Sequence, residues 1–436
     1  MIRTLPQELE PLCTNSPPGI HTWQPEPGAD KARLLSQLTV AGNRPVIAIT
    51  DSVTQVQPLA DAIAFFNGSD QPAPMVFHDW EMLPYDQFSP DQELISERLS
   101  VLHRLRAMKS GALVVAIPTL LQKLPPVDYL DRYSLWLDSG QTVDLDNFRN
   151  RLQQAGYTFV NQVIAHGDFT IRGGMLDLFP MGSETPFRIE LFDDQIESIR
   201  TFDPESQRSI ESLEQIHLLP GREFPVNDAS ITRFFNNFQT HLEANAGQSF
   251  LYRELKAGRI PAGIEFYLPL FFNQTATLFD YLPANAVLAY SDDCYQHAED
   301  FWDLIHERRS HRQVDIDHPP LPAGLLYQQA NEVFNGFKNY SAIKFGKVPA
   351  GVGLPDVRAD AHHPQPIQRL RGFINEHPGR TLLVAESNGR REALLSTLRG
   401  SGLTPTFHPD LANFLASESN LGVTVSALIE GYYDPK

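Results

Sequence analysis

Three short apolar runs separated by helical patterns most restrict what the first 120 residues can fold into. The runs lie at residues 45–50, 74–77 and 112–117, and apolar residues recur at helical spacing in 56–66 and 95–105. Strands of this kind that alternate with helices join as parallel neighbours, because each helix carries the chain back across the sheet. The pattern therefore predicts an α/β fold built on a parallel sheet with helices on its faces.

A second unit is predicted downstream, where a helix at 144–155 is followed by a strand-rich stretch at 157–219. Within it, the sequence Phe-Arg-Ile-Glu-Leu-Phe at 187–192 alternates with the period of a strand. One face carries only apolar residues, and the other carries Arg188, Glu190 and Phe192. An arginine beside an exposed aromatic ring is typical of a protein-binding hot spot, because it combines a planar donor fork with an apolar anchor.

A second arginine, Arg172, precedes Gly173 and Gly174, a pair that permits a bulge or a tight bend. Asp193 and Asp194 indicate a turn that returns the chain into another strand. The alternative interpretation is a small antiparallel sheet with scattered surface charges, since most exposed arginines contribute little to stability.

Charge and cysteine content exclude several classes of protein. Lys and Arg number 35 against 53 Asp and Glu, and the net charge of −18 disfavours a protein whose main task is to grip phosphates. Cys13 and Cys294 stand far apart, so neither a disulfide framework nor a cysteine zinc site is indicated. No apolar run approaches the roughly 20 residues that span a bilayer, and no signal peptide is evident. We expect a cytoplasmic location.

Two segments carry a resemblance to a known family. Arg-Gly-Gly-Met-Leu-Asp-Leu-Phe-Pro at 172–180 and Phe-Arg-Ile-Glu-Leu-Phe-Asp-Asp-Gln-Ile-Glu-Ser-Ile-Arg at 187–200 resemble the second domain of the repair helicase UvrB. They resemble the same module of the transcription-repair coupling factors (Mfd) still more closely. In both families the module docks on the repair ATPase UvrA. The resemblance implies UvrA contacts at Arg172, Arg188 and Phe192, with Glu190 as the partner of an arginine on the same face. UvrB-type sequences have a further arginine where this chain has Thr170, which implies a less basic interface.

The first unit resembles the first motor domain of these families through Trp-Glu-Met-Leu-Pro-Tyr-Asp at 80–86 and Ile-Ser-Glu-Arg-Leu at 95–99. A working motor needs a phosphate loop with Gly-Lys-Thr, but residues 24–33 read Gln-Pro-Glu-Pro-Gly-Ala-Asp-Lys-Ala-Arg. The only Gly-Lys pair, at Gly346, is followed by valine, and the helicase Asp-Glu dipeptide is absent from the sequence. We therefore expect no ATP hydrolysis, and no catalytic, cofactor-binding or metal-binding residue.

UvrB also inserts an aromatic hairpin after the Tyr-Asp loop to separate DNA strands. Here only Gln-Phe-Ser-Pro at 87–90 intervenes before a helix, whose predicted cap is Ser89. Without the hairpin, Trp80, Tyr85 and Phe88 are expected to pack the loop.

The predicted organisation is a multidomain α/β protein in which a degenerate RecA-like (P-loop NTPase-like) domain carries an inserted α+β UvrA-binding module. Residues 1–133 form domain 1a with an irregular lead-in to about residue 28, 134–220 form the module, and 221–340 complete the first domain as 1b. A Gly- and Pro-rich linker follows at 341–366, and 367–436 form a small α/β third domain. The placement of 1b rests on the resemblance.

The main hypothesis is a non-catalytic amino-terminal region that recruits UvrA to stalled transcription complexes by mimicking UvrB. The alternatives are a UvrB-like DNA-dependent ATPase or helicase domain and a DNA-binding platform. The resemblance also implies that the full-length family chain continues with an RNA-polymerase-binding domain and a double-stranded-DNA translocase that uses ATP and Mg. It further implies a carboxy-terminal domain that masks the docking face at rest.

Overall fold

The computed structural model describes residues 4–14, 17–42, 44–69, 71–242, 246–360, 362–377 and 379–434, so the predicted ranges 1–133, 221–340, 341–366 and 367–436 each include residues outside this description. The strands are β1 (Ile20–Trp23), β2 (Pro45–Thr50), β3 (Met75–Phe77), β4 (Gly111–Ala116), β5 (Leu135–Asp138), β6 (Thr158–Phe159), β7 (Asp168–Arg172), β8 (Met175–Leu178), β9 (Phe187–Phe192), β10 (Gln195–Phe202), β11 (Ser209–Leu213), β12 (Gln215–Leu218), β13 (Val287–Ser291), β14 (Ser341–Phe345), β15 (Thr381–Ala385), β16 (Thr406–Phe407) and β17 (Leu421–Val425). The α-helices are α1 (Asp30–Ala41), α2 (Val56–Asn67), α3 (Gln92–Leu105), α4 (Ile117–Leu120), α5 (Val127–Tyr133), α6 (Leu145–Gln154), α7 (Asp228–His241), α8 (Phe250–Lys256), α9 (Leu278–Tyr281), α10 (Cys294–His311), α11 (Ala323–Leu326), α12 (Ala330–Phe337), α13 (Gln368–Glu376), α14 (Asn388–Gly400) and α15 (Leu411–Ala416). Short 3-10 helices lie at Gln7–Cys13, Val53–Gln55, Ala246–Gln248 and Ile264–Phe271.

The first unit is a six-stranded parallel sheet in the order β1-β14-β13-β2-β4-β3. Every residue of β2 is buried, and β4 is buried after its first residue. Helices α1 and α2 pack on one face and α3 on the other, so these strands need no polar side. The predicted α/β class is confirmed. Since β13 and β14 join strands that precede residue 117, the intervening module is an insertion into the first unit.

Two strands of this sheet were not expected from the sequence. β1 lies in the predicted lead-in, and β14 occupies the first five residues of the predicted linker, where four of its five residues are buried. Both predictions are wrong at these positions because a parallel strand is stabilised by distant partners. Ala342, for example, pairs with Ile20 on one side and with Leu288 on the other.

The start of α3 and the packing of its preceding loop also differ from expectation. The helix begins at Gln92, and its N-cap is Asp91, whose carboxylate accepts the Glu93 amide at 2.8 Å. Ser89 instead donates to the buried Glu265 at 2.7 Å. Trp80 and Tyr85 are buried as predicted, but Phe88 is 74% exposed.

The inserted module is a second six-stranded sheet in the order β11-β10-β9-β8-β7-β6, antiparallel except for the β6–β7 pair. Its inner face packs on α6 through Phe148 and Leu152 and on the β5–β12 pair. The predicted helix and strand-rich stretch are both confirmed.

A third, smaller unit holds the parallel sheet β15-β17-β16 with α13 and α14 packed beside it. The main strands and helices of this unit were predicted, whereas β16 and α15 were not. After β17 the chain returns to the first unit as a strap, residues 428–432. Among the residues that the structure describes, none of the helices combines the length and the apolar composition that crossing a bilayer requires.

Candidate protein-interaction site

The outer face of the module sheet brings the predicted partner-binding residues onto neighbouring strands. Cross-strand pairing forms two rows, which run from β7 to β10: Thr170, Asp177, Arg188 and Arg200 in one, and Arg172, Met175, Glu190 and Ser198 in the other. Phe187 and Ile189 are buried on the inner face, as the alternation predicts. Phe192 follows Glu190 on the outer face, at the end of β9. The predicted residues therefore share one face of the sheet, on which Thr170 and Asp177 are buried.

Arg188 does not project freely from this surface. Its Nε and one terminal nitrogen donate to the two carboxylate oxygens of Asp177 at 2.8 and 2.9 Å, and its other terminal nitrogen donates to the Gln207 carbonyl at 3.0 Å. The guanidinium also lies 4.8 Å from the ring centroid of Phe202. The side chain is 16% exposed and that of Asp177 is 4% exposed.

The Asp177 carboxylate also raises the pKa of Arg188, through the hydrogen bonds that it accepts. The expectation that Arg188 offers a free donor fork is therefore wrong. The physical reason is that Asp177 lies directly opposite Arg188 on β8 and accepts both donors of its fork. Phe202, from a small apolar cluster with Val163 and Phe179 that is separate from the main core of the module, lies against the same guanidinium. Whether Arg188 also touches a partner stays a prediction.

Phe192 and Arg172 lie at the tips of adjacent hairpins. The Leu191 amide donates to the Gly174 carbonyl at 2.7 Å, which holds the two tips together. A Cβ atom at Gly174 would lie 2.7 Å from the Leu191 carbonyl oxygen, so this close approach requires glycine. Phe192 is 73% exposed, and Arg172 is exposed and donates to the Asn161 carbonyl. The predicted bend at the glycine pair is confirmed.

Glu190 is held between two neighbours of the same face. It accepts the Ser198 hydroxyl at 2.8 Å, and a terminal nitrogen of Arg200 lies 3.9 Å from the same carboxylate oxygen. The predicted pairing of Glu190 with an arginine is thus confirmed, but the arginine is one that the sequence analysis did not select.

A β-bulge explains why Arg200 was missed. The β9–β10 register shifts between Ile196 and Ser198, so Arg200 lies opposite Arg188 on the outer face. An unbroken register from the Asp193 turn would have placed Arg200 inward. The sequence contains a signal of this bulge, because the apolar Ile196 and Ile199 are three residues apart, whereas one face of a regular strand takes every second residue. The structure shows both of them buried.

The place of a motor's nucleotide site was the main alternative. A cavity of about 400 Å³ lies at the start of α1, and its lining includes Lys31, Asp51 and Glu430. The Ala29 amide there donates to the Gly431 carbonyl of the strap at 2.9 Å. Gly28 has φ +76°, and a Cβ atom at this position would overlap that carbonyl oxygen.

Charge at the same helix start is also unfavourable for a phosphate. The fully buried Asp30 accepts the Glu26 amide at 3.0 Å and pairs with Arg33 at 2.7 Å. Backbone amides that cradle a phosphate must be unoccupied and face an anion. Here one amide is bonded to the strap, and carboxylates stand nearby, so the residues present do not fit ATP.

The two motor-like motifs serve to join the units. Arg98, from the second motif, donates to Glu223 at 2.9 Å, and Trp80, from the first, donates to the other oxygen of the same carboxylate at 2.8 Å. Arg98 is fully buried, and Glu223 is 1% exposed. Glu223 lies shortly after β12, the last strand of the module, so this cluster fastens the end of the insertion to the first sheet.

Comparison with known proteins identifies two of these units. Residues 135–224 match the family model described as the UvrB interaction domain, and residues 373–436 match the model described as the MFD D3 domain. Both rows of the outer face and Phe192 lie within the first match.

Three relatives carry the name transcription-repair-coupling factor. The transcription-repair-coupling factor of Escherichia coli is 38% identical over 389 residues, which cover 87% of this chain and 34% of that protein. That of Haemophilus influenzae is 36% identical over 417 residues, covering 93% and 36%, and that of Bacillus subtilis is 28% identical over 275 residues, covering 60% and 23%. The chain spans about a third of the length of the two more similar relatives.

Proposed function

The chain belongs to the transcription-repair-coupling factor family, and from this premise we propose that its module recruits the repair protein UvrA to stalled transcription complexes. The chain itself acts without catalysis, and the outer face of the module makes the contact. The face resembles the second domain of UvrB, so recruitment works by mimicry of UvrB.

One observation carries this proposal: an aromatic ring that is 73% exposed stands at a hairpin tip inside the region that matches the UvrB interaction domain. Arg172 occupies the neighbouring tip and supplies donors for a carboxylate. Exposed aromatic and arginine side chains in this arrangement dominate the binding energy of protein interfaces when they enter a desolvated pocket.

Titration of UvrA with the 436-residue chain tests the contact directly. We expect Phe192→Ala to weaken binding by about 2 kcal/mol or more, or roughly 30-fold, without a change in thermal stability, because the ring is mostly exposed before binding. Phe88→Ala is the matched control, since Phe88 is 74% exposed but lies outside the matched region. Equal affinities for wild type and Phe192→Ala would refute the proposed contact.

If the module mimics UvrB, a second prediction follows for the same surface. Purified UvrB should compete with the chain for UvrA, because both would occupy one site. If UvrA bound both proteins at once with undiminished affinity, recruitment would have to use a different face.

A UvrB-like ATPase is the weaker candidate, because the strap and Asp30 occupy the position of a phosphate cradle. Nucleotide binding is tested by titrating the chain with ATP and Mg²⁺, and saturable binding would reinstate that candidate. The net charge of −18 likewise disfavours a DNA-binding platform, which a gel shift at moderate salt would test.

The remainder of a full-length factor supplies the other activities. We propose that RNA polymerase and double-stranded DNA are bound there, with ATP and Mg²⁺ consumed there, and that a carboxy-terminal domain masks the module at rest. The isolated chain would then bind UvrA more tightly than the resting full-length protein does. Equal affinities would contradict the masking.

A further inference from the structure

We propose that Arg200 is a further partner-binding residue of the module, which captures a carboxylate of UvrA, whereas Arg188 positions it. This inference rests on the proposed recruitment of UvrA. It reassigns the donor fork of the outer face from the arginine that the resemblance selects to the one that lies opposite it across the β9–β10 hairpin.

Every guanidinium nitrogen of Arg188 is engaged within the module before any partner arrives. All three of its guanidinium nitrogens donate within the module, two of them to the nearly buried Asp177. A partner carboxylate could take this fork only by leaving Asp177 buried without its counter-charge, which is costly. Arg188 therefore stabilises the outer face through its pair with Asp177 and does not bind the partner itself.

The Arg188–Asp177 pair also allows a second positive charge beside Arg188. Arg188 and Arg200 are directly opposite across two antiparallel strands, a position in which like charges repel. Asp177 lies on the other side of Arg188 in the same row and neutralises its charge. A cation is therefore tolerated at Arg200.

Arg200 itself has unused donors. Its side chain is 43% exposed, and its guanidinium donates no hydrogen bond to any residue that the structure describes. Its Nε is buried, so the terminal nitrogens are the donors that can face a partner. Its distance of 3.9 Å from Glu190 is too long for a hydrogen bond, and that carboxylate oxygen already accepts Ser198. Glu190 thus attracts the Arg200 guanidinium electrostatically but leaves its donors available for another carboxylate.

The position of Arg200 completes a patch that fits one kind of partner. Arg172 stands on β7 and Arg200 on β10, with Glu190 between them and Phe192 at the adjoining tip. Arginine recognises carboxylates through a planar pair of donors, and Phe192 requires an apolar pocket. The partner surface should therefore present acidic side chains next to an apolar pocket, with no acid facing Glu190.

The test is a titration of UvrA with Arg200→Ala in the 436-residue chain. We expect at least about a 10-fold loss of affinity, with a weaker salt dependence than wild type has, because one charged contact is lost. Arg200→Lys keeps the charge but loses the fork, so it should bind with intermediate affinity. Arg151→Ala is the matched control: Arg151 is an exposed arginine of α6, which packs on the opposite face of the sheet.

The outcomes separate this inference from the function on which it rests. If Arg200→Ala binds UvrA like wild type while Phe192→Ala does not, Arg200 is not a contact and the proposed function stands. If wild type itself fails to bind UvrA, both proposals fall. Hydrogen exchange of β9 and β10 in Arg200→Ala controls for folding. Should exchange there accelerate, the Arg200→Lys titration decides: intermediate affinity supports the inference, and wild-type affinity overturns it.

Discussion

Replacing Arg188 by alanine should damage the fold of the module more than a surface substitution would. The change leaves the Asp177 carboxylate, 4% exposed, without the two hydrogen bonds that it accepts from Arg188. Removing one member of a buried ion pair costs about 3–5 kcal/mol. Because Arg188 is 16% exposed, water partly solvates the site, and we expect a value near the lower limit, about 3 kcal/mol.

Hydrogen exchange followed by mass spectrometry measures this loss within one unit of a multidomain chain. A loss of about 3 kcal/mol corresponds to exchange that is on the order of 100-fold faster for amides of β8 and β9 that open with the module. Amides of β2 in the first sheet serve as the internal reference. Arg200→Ala is the matched arginine variant and should change β8 and β9 by less than about 1 kcal/mol, since its ion pair is half-exposed.

A double variant shows whether the pair itself is responsible. Asp177→Ala combined with Arg188→Ala removes both charges, so it should be more stable than Arg188→Ala alone. If Arg188→Ala left β8 and β9 exchanging as in wild type, the structural role assigned to Arg188 would be refuted. Its fork would then be available to a partner after all.

Three further substitutions probe how the units are joined. Glu223→Ala leaves the fully buried Arg98 without its carboxylate partner and should lower the free energy of unfolding by about 3 kcal/mol or more in denaturant titrations. An unchanged midpoint would contradict the role of this cluster. Burial and the neighbouring His103 lower the pKa of His217 to about 4, and Asp131 opposes this shift. The neutral His217 therefore stabilises the fold at neutral pH, and this contribution is lost as the pH falls from about 6.5 to 4. His217→Phe, which keeps the aromatic stack on β5, should reduce the drop in melting temperature between pH 7 and pH 5, and an unaltered pH profile would count against this account. Gly28→Val would place a side chain on the Gly431 carbonyl and should accelerate proteolysis of the strap, and a strap as resistant as that of wild type would show that the contact is dispensable.

Local sequence was enough for elements whose burial repeats over a few residues. The runs that became β2 and β4 are apolar apart from Thr50 because helices cover both of their faces, and this pattern is visible without coordinates. The alternation in β9 likewise separates an inner from an outer face within six residues, so Phe192 could be placed outward correctly. Local sequence did not predict β14, because the strands that pair with it are distant in the chain.

For this protein, then, the pattern of the sequence alone determined the α/β class and the face on which Arg188, Glu190 and Phe192 stand, because side-chain period follows directly from backbone geometry. That the module is an insertion followed only from the resemblance and from the pairing of β13 and β14 in the first sheet. Tertiary structure decided which guanidinium on that face is available. Arg188 turns to a carboxylate on the neighbouring strand, and a single extra residue in β10 moves Arg200 outward. Both outcomes depend on pairing between strands. The spacing of Ile196 and Ile199 signals the bulge, but the residue that faces each guanidinium is set only by the neighbouring strand.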